Sequence, residues 1–180
     1  MRRALSILVI CIALAALGCS PTPVKLDYDP AIDFDLYRTY DWLDNRPDMP
    51  AVVKSSMTRF PAVDAPLRAA VSEGLAAKRL ALDEVDPNVL VAYHVGAEND
   101  IDVVKWGYRY ANAKAGWGVG LDVVSYPKGT LVIDVIDAKT MYVIWRASAR
   151  RAIDGDPSQS TAGERIAGAV EEMLRAYPAR

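Results

Sequence analysis

Three patterns in this sequence predict an α+β two-layer sandwich, in which a mostly antiparallel sheet carries two helices packed on one face. Two β-rich runs, residues 129–136 and 141–149, are separated only by Asp137-Ala138-Lys139-Thr140, which reads as a hairpin. Two other stretches carry apolar residues at helical spacing on one face each. The segment order is strand, strand, helix, strands, hairpin, helix. Two helices with one apolar face apiece need one shared sheet to cover.

Ahead of these elements, Met1-Arg2-Arg3 is followed by apolar residues from Ala4 to Leu17 and then by Gly18-Cys19-Ser20. The run is shorter than the roughly 20 residues that span a bilayer. A basic start, a short apolar stretch and a small-residue exit form a secretory signal. Ala16-Leu17-Gly18-Cys19 resembles a lipoprotein processing site, with Leu17 two residues before the cysteine where three is usual. Residues 1–18 are therefore expected to be a lipoprotein signal peptide, with Cys19 the acylated first residue of the mature chain. Two or more acyl chains give stable anchoring where one is marginal. Ser20, where an aspartate would resemble an inner-membrane retention signal, points to the periplasmic face of the outer membrane.

Loss of the signal leaves 162 of the 180 residues, the length of one domain. The formal net charge of −2 becomes −4 once Arg2 and Arg3 are removed. A mildly acidic chain without a basic stripe argues against nucleic acid as a partner. It also leaves membrane binding to the acyl chains. Cys11 departs with the signal and Cys19 is acylated, so the mature domain has no disulfide and no thiolate metal site.

The elements follow in order. Cys19 to Pro23 is a short stiff leader. Val24, Leu26 and Tyr28 alternate with Lys25, Asp27 and Asp29, the period of a half-buried strand. Tyr40 and Trp42 alternate with Thr39, Asp41 and Leu43 in a second. Residues 44–63, with three prolines, read as a loop. Asp64-Ala65-Pro66 predicts a helix start, a capping side chain before a first-turn proline. Leu67, Val71 and Leu75 form its stripe, widened by Ala70 and Ala77, and the helix is expected to reach Leu80. Val89 to Ala97, apolar on both faces, predicts a central strand. Ile101 to Tyr110 predicts another, and Ala111 to Gly120 an irregular glycine-rich loop. After the hairpin, Thr161 and Glu164 form a capping box. Ile166, Val170, Met173, Leu174 and Tyr177 make one stripe before Pro178.

Few residues suggest chemistry. His94 is the only histidine, so no two-histidine zinc site exists, and it reads as structural. Ser125, Ser148 and Ser158, its potential triad partners, lack a Gly-x-Ser-x-Gly turn. Asp27, Asp29, Asp33 and Asp35 form an acidic cluster. A calcium loop starting at Asp27 would need glycine and glutamate where Ile32 and Arg38 stand. The cluster reads as solvent-facing positions and turn caps. Asp137 suits the hairpin turn, bonding amides two residues on. Asp134 interrupts an apolar strand and needs a partner if buried. Arg146 on the returning strand is the expected one, as a structural ion pair. Trp106, Tyr108, Tyr110, Trp117 and Tyr126 gather around the glycine-rich loop, where they either cover a sheet face or bind a sugar or a protein.

Tyr126 to Thr140, with Gly129-Thr130-Leu131 and then Ile133-Asp134 followed after two residues by Asp137-Ala138, and Ile144-Trp145-Arg146 beyond, resemble the bacterial lipoprotein family of domain of unknown function 4136. Asp33-Phe34, Tyr37, Tyr40 and Trp42 are similar to its amino-terminal signature, and Tyr177-Pro178 to its ending. The resemblance covers about residues 24–178, as one α+β domain. Ala147 and Arg79 stand where the family often has glycine. Membership implies a location and a fold, and no activity.

The leading expectation is a non-enzymatic, lipid-anchored envelope protein that docks onto another envelope protein, without cofactor or metal. A glycan- or lipid-binding module using the aromatic segment 106–126 is the alternative. A carboxylate-based hydrolase is a weaker one.

Overall fold

The computed structural model of the protein describes residues 24–47, 61–96, 109–110, 129–150, 152 and 161–179. Strand β1 (Val24–Tyr28) is followed by a 3-10 turn at Phe34–Leu36, strand β2 (Thr39–Trp42) and a second 3-10 turn at Leu43–Asn45. Helix α1 (Pro61–Ala77) leads through the short β3 (Ala81–Leu82) into β4 (Val89–Gly96). Then come β5 (Arg109–Tyr110), the hairpin β6 (Thr130–Asp137) and β7 (Tyr142–Ala149), and helix α2 (Ala162–Arg175). The sheet runs β1-β7-β6-β4-β2-β3, with β5 paired to β7 off this path. The three longest pairings, β1–β7, β6–β7 and β4–β6, are antiparallel; β2 runs parallel to β4 and β3, and β5 to β7.

The hairpin sits at the middle because its strands are apolar on both faces. Leu131, Val132, Ile133, Val135 and Ile136 are all fully buried. Cross-strand partners share a side of the sheet. The register therefore puts Tyr40, Trp42, Tyr93, Ile133 and Trp145 on one side. Both helices lie there. Tyr40 Oη donates to Ser72 Oγ of α1 at 2.9 Å, and the Trp145 ring meets that of Tyr177, just beyond α2, at 5.4 Å. Asp41, Ala92, His94, Val132, Asp134 and Arg146 occupy the opposite side. That side is closed as well, with Leu90, Ala92 and Asp134 at 0% exposure.

Helix α2 follows its sequence closely. Thr161 accepts from the Glu164 amide at 3.2 Å, and the Glu164 carboxylate accepts from the Thr161 amide at 2.7 Å, which completes the capping box. Ile166, Val170, Met173, Leu174 and Tyr177 are all buried. Lys78 Nζ donates to the Arg175 and Tyr177 carbonyls at 3.2 and 2.9 Å, capping the carboxyl end with a cation.

Helix α1 departs from expectation at both ends. It begins at Pro61, not after an Asp64 cap, and Pro66 lies inside it. Proline is well placed at the first helical position, because its missing N–H would be unbonded there in any case. Asp64 instead turns its carboxylate to Arg68 and Tyr93. The helix stops at Ala77 rather than Leu80, leaving Ala77 exposed, while Leu67, Val71 and Leu75 are buried as expected. Its end is a Schellman closure. The Leu80 amide bonds the Leu75 carbonyl at 3.0 Å, and the Arg79 amide bonds that of Ala76 at 2.9 Å.

That closure explains one departure from the family pattern. Arg79 has φ 65°, the left-handed region in which a side chain costs about 1–2 kcal/mol. Arg79→Gly is expected to raise unfolding free energy by up to about 1 kcal/mol, the gain reduced by glycine's greater freedom when unfolded. A shift of the urea midpoint at constant slope measures it. Ala147 differs: it lies within β7, opposite Leu26 and Ile133, and is no turn residue.

Candidate functional site

Asp134 lies within β6, flanked in register by Ala92 of β4 and Arg146 of β7. Alternation along β6 turns it away from the helices, onto the side that also carries His94. The carboxylate is fully buried. Arg146 grips it with two hydrogen bonds, Nε to Oδ1 at 2.5 Å and a terminal guanidinium nitrogen to Oδ2 at 2.7 Å. His94 Nε2 stands 3.5 Å from Oδ2. Burial by itself would raise this carboxyl. The Arg146 charge and the hydrogen bonds from His94 and Arg146 outweigh burial and hold it well below the ordinary carboxylate range.

That direction limits its chemistry. A general acid or base works best with a pKa near the operating pH. Asp134 is driven the other way, and both oxygens are engaged. The arrangement clamps three adjacent strands together. Ser148 shares this side, but Val132 stands between it and His94 in the register. Two strand spacings, roughly 9–10 Å, separate the two residues, well beyond hydrogen-bond reach.

A second cluster forms where α1 crosses β2 and β4, and no sequence motif marks it. Arg68 Nε donates to Asp64 Oδ1 at 2.8 Å, and a terminal nitrogen to Asp44 Oδ2 at 2.5 Å. Its guanidinium carbon lies 4.4 Å from the Trp42 ring centroid and 5.9 Å from that of Tyr93. Tyr93 Oη donates to Asp64 Oδ1 at 2.5 Å. Burial, then the Asp64 hydrogen bond, pushes the Tyr93 phenol well above its usual value. Asp64 is lowered, since the Tyr93 and Arg68 hydrogen bonds and the Arg68 charge outweigh its burial. The Asp64–Arg68 spacing of four was the one visible signal. The aromatic lid needed the parallel β2–β4 pairing, which lies far outside any local pattern.

The other singled-out residues fall as follows. Asp29 accepts from the Ala31 amide and Asp33 from that of Asp35, the turn-capping role read for them. Asp137 accepts from the Lys139 and Thr140 amides at 3.0 and 2.7 Å, and from Tyr37 Oη at 3.0 Å. Burial, reinforced by that bond, pushes the Tyr37 phenol up to about 12. Tyr110 pairs with Val143 through β5. Trp106, Tyr108, Trp117 and Tyr126 lie outside the described residues, as do Cys19, Ser125 and Ser158. Among the described residues, no group of three histidine, cysteine, aspartate or glutamate side chains is placed to hold a metal, and no helix is long and apolar enough to cross a membrane.

The aromatic residues form two sets, whose strand members Tyr28, Tyr40, Trp42, Tyr93 and Trp145 all lie on the helix side of the sheet, opposite Asp134. Phe34 contacts Tyr28, Tyr37 and Tyr177, and Tyr177 contacts Trp145. Tyr40, Trp42 and Tyr93 form the second set. Residues 24–179 match the family described as Domain of unknown function (DUF4136). The chain belongs to this family. A solved DUF4136 protein from Bacteroides thetaiotaomicron is similar in fold, at TM-score 0.58 and 13% identity over 89% of this chain and 98% of that one. A PDZ domain protein from Parabacteroides distasonis is similar at TM-score 0.52 and 14% identity, over 94% of this chain and 39% of that one. The DUF4136 chain thus spans well under half of that second protein. A PelC dodecamer from Paraburkholderia phytofirmans matches at TM-score 0.46 and 12% identity, over 88% and 98% of the two chains. No protein of curated function matches the sequence.

Proposed function

We propose that this DUF4136 protein is a lipid-anchored module of the bacterial envelope, held at the periplasmic face of the outer membrane through Cys19, that docks onto another envelope protein and catalyses no reaction. One observation carries the docking reading. Five large apolar side chains are exposed among the described residues; three lie on the sheet's edge strands and a fourth in the turn beside one of them. Leu26 and Tyr28 lie on β1; Leu82 lies on β3, with Val85, at 93% exposure, in the turn that follows, and this β3 end is the one the docking reading gives to the foreign protein. Exposed apolar side chains beside unpaired strand edges suit a protein partner. The locked state of Asp134 supports a structural use of the buried charges.

The test is photo-crosslinking in intact membranes. Photoreactive residues at Leu82 and Trp117 are expected to give a discrete protein adduct, and a control at Glu172 on α2 none. No adduct from the folded, abundant protein would overturn the docking reading and favour a glycan or lipid ligand. Cys19→Ala is expected to release the chain from the membrane fraction. A variant that stays bound and is still processed removes the anchor from the proposal.

A further inference from the structure

We propose that the outer edge of β1 is a self-recognition edge, at which two copies of this chain pair antiparallel about a two-fold axis through Leu26. β1 bonds β7 on one side, from Val24↔Ala149 to Tyr28↔Trp145. Among the described residues no strand pairs with its other side, and Lys25, Leu26, Asp27 and Tyr28 are all exposed. An open edge of this length is a template for another strand.

The sequence of the edge selects which strand. Val24-Lys25-Leu26-Asp27-Tyr28 is complementary to its own reverse. Centred on Leu26, each Lys25 stands opposite Asp27 of the second copy, and this happens twice. Both residues project on the side of Ser148 and Arg146, their register partners in β7. On the helix side Leu26 meets Leu26, and Val24 meets Tyr28. Opposite charges and apolar pairs directly across an antiparallel ladder stabilise it, and like charges destabilise it. Registers shifted by two residues place Lys25 on Lys25 or Asp27 on Asp27. A shift by one turns the helices of the two copies to opposite faces and sets Lys25 against Leu26. The register centred on Leu26 is thus singled out, and it joins the two sheets into one.

The pairing is small. A five-residue edge buries less than the roughly 1,000 Å² expected of a stable interface. It is therefore formed where copies are concentrated, and a shared membrane surface concentrates them. The complementarity itself is a property of β1 and is independent of the anchor.

The test is a symmetric disulfide in the full-length chain, both in membranes and at high concentration in detergent. Residues directly opposite in an antiparallel pair have Cα atoms about 4.5–5.5 Å apart, within disulfide range. Leu26→Cys is expected to give a species of twice the chain mass at least tenfold faster than Leu82→Cys on the far edge. The unsubstituted chain serves as the blank for Cys11 and Cys19. Lys25→Asp in the Leu26→Cys chain is expected to abolish the crosslink, and adding Asp27→Lys to it to restore the crosslink. A Lys25→Asp chain mixed with an Asp27→Lys chain, each carrying Leu26→Cys, is expected to yield only the mixed dimer. Equal rates at Leu26 and Leu82, a crosslink indifferent to Lys25→Asp in a chain with an unchanged unfolding midpoint, or an adduct of Leu26→Cys to a different protein would each overturn the proposal. The last result would identify a foreign strand as the occupant.

Discussion

Arg146→Met is expected to lower unfolding free energy by about 3–5 kcal/mol. The reason is what remains behind. Asp134 has no exposed surface, and its two oxygens accept both hydrogen bonds from the one guanidinium. Methionine fills the volume of the Arg146 stem but donates nothing, which leaves a buried carboxylate with His94, 3.5 Å away, as its neighbour. A chain carrying Asp134→Leu together with Arg146→Met removes both charges and is expected to recover part of the loss, because no buried charge is left without its partner, while His94 forfeits its bond to Asp134. Urea unfolding of the four corners of this cycle separates the coupling from the single effects. A double variant no better than Arg146→Met would show that packing, and not the stranded charge, sets the cost.

The same clamp has an acid signature. Unfolded aspartates titrate near 3.9, and folded Asp134 is held well below that value. The unfolded chain therefore binds the proton more readily. The stabilisation from this group is complete above about pH 5 and is lost as pH falls through the unfolded value towards the folded one. Chains carrying Asp134→Leu with Arg146→Met are expected to lose this part of the acid dependence, leaving the contributions of Asp64, Asp83, Asp137 and Glu164, whose carboxyls are also lowered.

How much of this was legible depended on distance along the chain. The hairpin, the α2 capping box and stripe, and Leu67, Val71 and Leu75 of α1 are written in residues three to eight apart, and each appears where expected. The Asp134–Arg146 pair was legible too, since a four-residue turn places the two strands in register. The start of α1 was misread because Asp64-Ala65-Pro66 carries the local pattern of a cap, while the carboxylate is claimed by Tyr93, 29 residues away. The Arg68 cluster had no local trace beyond its spacing from Asp64. Two parallel strands must meet before Trp42 and Tyr93 can flank the guanidinium, and nothing in either segment announces a parallel neighbour. The left-handed Arg79 shows the reverse case: its backbone suits glycine, a demand that the arginine conceals.

Gly74 is a position where the sequence was silent and the packing is tight. It lies on the face of α1 that carries Val71 and Leu75, and α2 crosses there. A Cβ built on it runs into Leu174 Cδ1 and comes within 3.3 Å of the Leu174 Cβ. Leu174 is 2% exposed, so any shift of its Cδ1 takes place within the packed interface between the helices. Gly74→Ala gains about 1 kcal/mol of helix propensity but incurs about 1–3 kcal/mol of overpacking, so a net loss of about 1 kcal/mol is expected. Gly74→Leu forces the helices apart and should reach or exceed the top of that range. Leu174→Ala alone costs about 2–5 kcal/mol through the cavity it leaves. In the double variant the new methyl occupies part of that cavity, so its loss is expected to fall short of the two single losses combined. Additive losses in the urea midpoints would mean that the helices do not meet at this point, and Gly74 would then be an ordinary weak position in a helix.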